Sequence, residues 1–145
     1  MKVSTRVMYG MRLMFQLALR QGDGYVFLKE IARQERISEK YLSQIVMPLR
    51  ARGLVLSSRG ANGGYRLAKE PATVTARDIV EALDPDFTNA RPLRGAEMRD
   101  RLPGSVTRIV WQTMYEHVDD ALGSITLQSL LDAHRARAAA LEYQI

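Results

Sequence analysis

A chain of 145 residues, 46% of them hydrophobic, can build one domain with a buried core plus a small appended arm, and no apolar run approaches the ~20 residues of a membrane span. It has no cysteine, which excludes disulfides, a thiolate nucleophile and a thiolate metal site. The net charge of +5 is unevenly spread: residues 1–70 hold 13 Lys or Arg against 5 Asp or Glu (net +8), and residues 71–145 hold 8 against 11 (net −3). The first part therefore suits a polyanion, and the second another task such as dimerisation.

Met1 to Gly10 alternates polar and apolar residues and lacks the apolar block of a signal peptide, so a soluble cytoplasmic protein with no membrane partner is expected. Ser4 is a helix N-cap candidate. Val7, Met8, Met11, Met14, Phe15 and Ala18 then recur at spacings of three and four, one apolar face of a helix over roughly 5–20 that ends at Gln21-Gly-Asp-Gly24. The methionines read as core filler.

Leu28 to Gln34 predicts a short helix with Leu28, Ile31 and Ala32 inward, and Glu35 to Ile37 a tight turn. Arg36 occupies a position where glycine often supplies a left-handed turn, so some strain is expected there. Ser38 caps a second helix, with Glu39 near the positive end of its dipole and Leu42, Ile45, Val46 and Leu49 facing the core. Together these form a helix-turn-helix. Pro48 should kink the last turn of its second helix. Leu54 to Arg59 and Tyr65 to Ala68 predict strands around a glycine-rich turn at Gly60–Gly64, where Asn62-Gly63 is a turn dipeptide. A hairpin in this place is a wing. A nucleotide-binding P-loop is not supported, because the spacing is wrong and no Lys-Ser or Lys-Thr follows.

Thr75 and Asp78 resemble a capping box opening a helix from Ala76 to Leu83, with Ile79, Val80 and Leu83 apolar. Periodicity is lost over 84–103, which carries Pro85, Pro92, Pro103 and several arginines and predicts a loop with at most a helical turn near Ala96 to Arg101. From Gly104 to Leu122 a long helix is expected. Its stripe of Val106, Val110, Met114, Val118 and Leu122, widened by Ile109 and Trp111, needs a partner, and a two-fold copy of the same helix is the simple candidate. Ser124 to Thr126 is a break, and Leu127 to about Ala140 a final helix. The expected architecture is mainly α with a small β-hairpin wing (α+β). It comprises a winged helix-turn-helix over 1–83, a connecting loop over 84–103, and a dimerisation helix followed by a C-terminal helix over 104–145.

On this reading the second helix of the motif presents Lys40, Ser43, Gln44 and Met47 outward. Gln44 can address an adenine edge, Ser43 several bases, and Lys40 or Arg50 a phosphate or guanine. Ser38 and Tyr41 open the same helix. Tyr41 can either donate to a phosphate or pack on the first helix. Arg59 in the wing can enter a minor groove or pair with phosphate, and Lys2, Thr5 and Arg6 at the start of the first helix can hold a phosphate. His117 and His134 lie on different helices and read as surface or interface residues, not ligands. No nucleophile–base order or paired carboxylates stand out, so an enzyme is not expected. The competing reading is a protein-interaction module that docks a metabolic enzyme.

Several stretches resemble the Rrf-two family of bacterial winged-helix transcription regulators, whose members include an iron–sulfur regulator, a nitric-oxide sensor and a cysteine-metabolism regulator. They are Leu28-Lys-Glu-Ile-Ala32, Ile37-Ser38 with Tyr41-Leu42 and Gln44, and Leu49-Arg50 with Gly53-Leu-Val55. Ser58-Arg-Gly60 with Gly63-Gly-Tyr65, Asp78-Ile79 with Glu81-Ala-Leu83, and Trp111 with Ile125-Thr-Leu127 and Leu130 continue the match in order over nearly the whole chain. The resemblance implies a homodimer that places one recognition helix per subunit in successive major grooves of double-stranded DNA, on a palindromic operator. It also implies that cysteine-bearing relatives hold an iron–sulfur cluster in the loop before the long helix. Here Ala90, Ala96 and Ser105 stand at the cysteine positions and Arg108 at that of a nearby histidine. No cofactor is therefore expected in this chain, either as a cluster-free member or as a cysteine-substituted form.

Overall fold

The computed structural model describes residues 2–89 and 106–144. Helices α1 (Thr5–Leu19), α2 (Leu28–Glu35) and α3 (Glu39–Ala51) precede an antiparallel hairpin of β1 (Val55–Ser58) and β2 (Gly64–Leu67). A 3-10 turn, Pro71–Thr73, leads into α4 (Ala76–Leu83) and α5 (Pro85–Asn89), and α6 (Arg108–Ser124) and α7 (Leu127–Tyr143) complete the described chain. The mainly helical class with a hairpin wing is as expected.

Ser4 caps α1, its hydroxyl accepting the Val7 amide at 3.3 Å. The buried face of α1 is rotated from the expected one. Leu13, Leu17 and Gly10 sit at its centre with Val7 and Met14, Met11 and Phe15 are only partly covered, and Met8 is 51% exposed. Gly10 explains the rotation. A Cβ there would run into the Leu83 side chain and lie 3.3 Å from Ile45 Cγ2, so α4 and α3 close directly onto bare backbone. An apolar pattern gives such a contact no weight. The one buried polar side chain among the described residues, Gln16, donates to Glu35 at 2.6 Å and ties α1 to the end of α2.

Arg36 adopts the left-handed conformation the sequence called for (φ 55°, ψ 45°), and the Ile37 amide returns to the Ala32 carbonyl at 3.0 Å. Ser38 accepts the Tyr41 amide at 3.3 Å and starts α3, which buries Leu42, Ile45, Val46 and Leu49 as predicted. Pro48 does not end the helix, which runs on to Ala51. The hairpin pairs Val55 with Leu67 and Ser58 with Gly64. Its turn closes through the Gly63 amide on the Gly60 carbonyl (3.0 Å), placing Asn62 third in the turn. Val26 adds a rung, exchanging two 2.8 Å hydrogen bonds with Tyr65.

In the second half, the segment from 84 onward is not wholly a loop. Asp84 caps α5 by accepting the Phe87 amide at 3.2 Å, and Pro85 takes a first-turn position where its missing amide costs nothing. The predicted turn near Ala96 and the predicted helix start at Gly104 lie outside the described residues. Within them α6 begins at Arg108, after a turn at 106–107, and ends at Ser124. Thr126 and Ser129 form a reciprocal capping box that starts α7, which reaches Tyr143.

The division at 83/84 and 103/104 is not a division of cores. Leu127 and Leu131 of α7 belong to the same buried cluster as α1, α2, α3 and α4. The Leu127 amide reaches the Val74 carbonyl at 2.9 Å, and the Ala76 amide the Ile125 carbonyl at 2.8 Å. Arg77 fastens α4 to α6, meeting the Asp119 carboxylate at 2.9 Å and its carbonyl at 2.7 Å. The Thr75–Asp78 box is formed by bonds of 3.2 and 2.9 Å at the head of α4. Thr75→Ala is expected to lower stability by about 1 kcal/mol, read as a shift in urea midpoint at constant slope.

Candidate nucleic-acid interface

At roughly 100° per residue, the surface of α3 divides into three arcs. Leu42, Ile45, Val46 and Leu49 form the buried one. Lys40, Gln44 and Met47 fall opposite, at the outward pole, and all three are exposed. Glu39, Ser43 and Arg50 lie on the edge that turns toward the wing. There they line a cleft of about 750 Å³ with Lys29, Glu30 and Arg33 of α2 and Ser57 to Gly60 of the hairpin.

The cleft is cationic. Lys29, Arg33, Arg50 and Arg59 make no ion pair among the described residues, whereas Glu30, on the same wall, is taken by Arg20 at 2.9 Å. Elsewhere, Arg12, Arg77 and Arg135 have carboxylate partners within 4 Å. Four free cations around a groove bounded by a helix and a wing form a surface that attracts phosphate oxygens and releases their counterions.

The structure brings Ser43, Arg50 and Arg59 to this cleft and places Lys40 and Gln44 on the pole beside it. Ser43 donates its hydroxyl to the Glu39 carbonyl at 2.9 Å, so its oxygen is left facing outward as an acceptor. The hydroxyl of Ser38 is engaged as the cap. The ring of Tyr41 stands edge-on to Tyr9 of α1, with centroids 5.8 Å apart, so of its two expected roles packing is the one observed. Lys2, Thr5 and Arg6 are exposed at the N-terminus of α1, outside the cleft. Lys29 and Arg33 were missed by the sequence reading. Their spacing of four on the polar face of α2 was the available signal.

The long helix divides its predicted stripe in two. Val106, Val110 and Trp111, with Ile109, are 52–73% exposed. Met114, Val118 and Leu122 are half-buried, Leu122 against the main core. The lower part of the stripe is thus partly satisfied within the protomer, and the upper part is bare.

Ala90, Ala96 and Ser105 lie outside the described residues. Arg108, the first residue of α6, is exposed and brings a cation to the place where the resemblance calls for a ligand. With no cysteine in the sequence, a thiolate-held cluster does not fit this chain, and no group of three His, Asp or Glu side chains that could hold a metal occurs among the described residues. Nor is any helix among them long and apolar enough to cross a membrane.

Comparison with known proteins agrees with this geometry. The Rrf2 (Rrf-two) family model, described as an iron-dependent transcriptional regulator, matches residues 3–133. The transcriptional regulator CymR of Bacillus subtilis is 40% identical over 130 residues, covering 90% of this chain and 89% of its own. IscR of Yersinia enterocolitica is 32% identical over 134 residues, covering 91% and 80%. Among solved structures, CymR, the global cysteine regulator of B. subtilis, superposes with a TM-score of 0.80 at 38% identity, over 92% of this chain and 98% of that one. IscR of T. potens does so at 0.77 and 39% identity, over 92% and 88%. These relatives are transcription regulators, not enzymes.

Proposed function

The chain belongs to the Rrf2 family of DNA-binding transcription regulators, and we propose that it works as a homodimer on a palindromic operator, without a thiolate-ligated cluster. The observation that carries this reading is the pairing of an outward face on α3 that bears Lys40 and Gln44 with a cleft between α2, α3 and the wing in which four cations, unpaired among the described residues, outnumber Glu39. Gln44 and Lys40 address base edges in the major groove, with Ser43 at the margin. Arg50, Arg59, Lys29 and Arg33 hold the flanking phosphates, and Lys2, Thr5 and Arg6 reach the backbone at the first helix. Val106, Val110 and Trp111 form the two-fold contact, extended by Met114, Val118 and Leu122. The residues 1–83 serve DNA, those from 104 on serve assembly, and the segment between them occupies the place of the relatives' sensor loop.

Footprinting on DNA upstream of the protein's own gene, at two salt concentrations, tests the reading. A protected palindrome whose affinity falls steeply with salt is expected, and protection no better than on random duplex overturns it. Arg59→Ala should weaken binding by about ten-fold, within the ~1–3 kcal/mol of a good arginine contact, and lower the salt slope by about one if the contact is to phosphate.

A further inference from the structure

We propose that Met47 reads the C5-methyl group of a thymine in the major groove, so that each half-site carries a T·A pair at a fixed position. This rests on the DNA-binding reading of α3 and adds to it a base that no polar residue of the helix specifies.

Met47 is 68% exposed, while every other long aliphatic side chain of α3 is buried. It is not at the fringe of the core. Its position falls on the arc diametrically opposite Leu42, Ile45, Val46 and Leu49, beside Lys40 and Gln44. An apolar side chain held there gains little from the fold, because at 68% exposure most of its surface stays in solvent in the protomer. Its larger gain comes from what meets that pole of the helix. In a major groove the base edges are hydrogen-bond donors and acceptors, with one apolar feature among them, the thymine methyl. An unbranched thioether has the reach and torsional freedom to cover such a group, and it offers no donor for the competing edges of guanine or adenine.

The helix also sets where the thymine lies. Met47 is three residues beyond Gln44, about 4.5 Å along the axis. The duplex advances ~3.4 Å per base pair. The thymine is therefore one or two base pairs from the adenine that Gln44 can hold in bidentate fashion.

The test starts from a duplex selected out of a random pool by the full-length protein. Each thymine is then replaced singly by deoxyuridine, which removes one methyl group and nothing else. One position per half-site is expected to weaken binding about four-fold on replacement, the ratio corresponding to ~0.8 kcal/mol for one buried carbon group. In Met47→Ala that sensitivity disappears, while in Gln44→Ala overall affinity falls and the sensitivity persists. The same thymine sensitivity in Met47→Ala, or none in the unaltered protein on a duplex it binds selectively, overturns the proposal. If no selective duplex emerges, the DNA-binding reading itself fails, which separates the two failures. Because Met47 is exposed, an unchanged melting temperature confirms that the variant folds.

Discussion

A double substitution, Val110→Asp with Trp111→Asp, is expected to give a particle of 16.4 kDa by light scattering where the unaltered protein gives twice that mass, and to weaken operator binding by at least about a hundred-fold. The turn before α6 and the helix's first turn expose Val106, Ile109, Val110 and Trp111, at 73, 61, 60 and 52%. Contiguous apolar surface of this kind is the mark of an interface, and an identical copy is self-complementary to it. Two carboxylates placed in that contact must be stripped of water on association, which costs several kcal/mol. The protomer fold should survive, because neither residue is buried in it. The loss of DNA binding follows from geometry. Arg77 ties α6 to α4 through Asp119, Leu83 of α4 lies against Gly10 of α1, and Ile45 of α3 meets the same glycine. In the proposed dimer α6 thus fixes the separation of the two recognition helices through packed elements, and a monomer would hold only one half-site. Persistence of the dimer would show that another surface, such as α7 beyond Leu131, makes the contact.

The parts of the fold that the sequence made legible are those whose signal is a side chain. The four inward residues of α3, the Ser4, Ser38 and Thr75 caps and the left-handed Arg36 are each specified locally, and each is found as read. What escaped was carried by residues whose meaning depends on a distant partner. Gly10 has no side chain to count, so the α1 stripe was read as Val7, Met8, Met11, Met14, Phe15 and Ala18; Val7, Met14 and Ala18 are buried as read, but the helix also closes on α4 through bare backbone and buries Leu13 and Leu17. Pro85 was taken for a breaker, yet behind Asp84 it opens a helix. Val26, in a short connection between helices, extends the wing by a rung that neither periodicity nor turn chemistry announces.

The site divides in the same way. Lys40, Ser43, Gln44 and Arg59 could be named from helical phase and motif. That Lys29 and Arg33 share a cleft with Arg50 and Arg59 depends on how α2 and the hairpin meet, and no local pattern contains that. The long helix was read as needing cover along its whole stripe. Phe87, Tyr115, Val118 and Leu122 line one small pocket, and Phe87 and Leu122 pack against the main core, so its lower turns find part of that cover at home while the upper ones stay exposed.

The wing's attachment gives the other large effect. Gly64→Ala is expected to destabilise the protein by about 3 kcal/mol and to weaken DNA binding even where the variant is fully folded. Gly64 has φ +124°, a conformation L side chains rarely adopt, and an added Cβ would collide with the Val26 carbonyl oxygen and stand 2.6 Å from its carbon. That oxygen accepts the Tyr65 amide at 2.8 Å, in one of the two bonds holding the hairpin to the segment before α2. Relief of the collision must therefore open the rung and shift a hairpin whose Arg59, Gly60, Gly64 and Tyr65 line the cleft. Gly22→Ala is the control. Its φ of +102° imposes comparable backbone strain, but nothing lies within 4 Å of the added carbon, so a loss of only about 1 kcal/mol and no change in DNA affinity are expected. The difference between the two variants isolates the close approach at Val26 from the cost of the dihedral alone. Equal melting temperatures and equal affinities would mean that the segment before α2 moves with the wing, and that Arg59 is positioned by the hairpin without help from that rung.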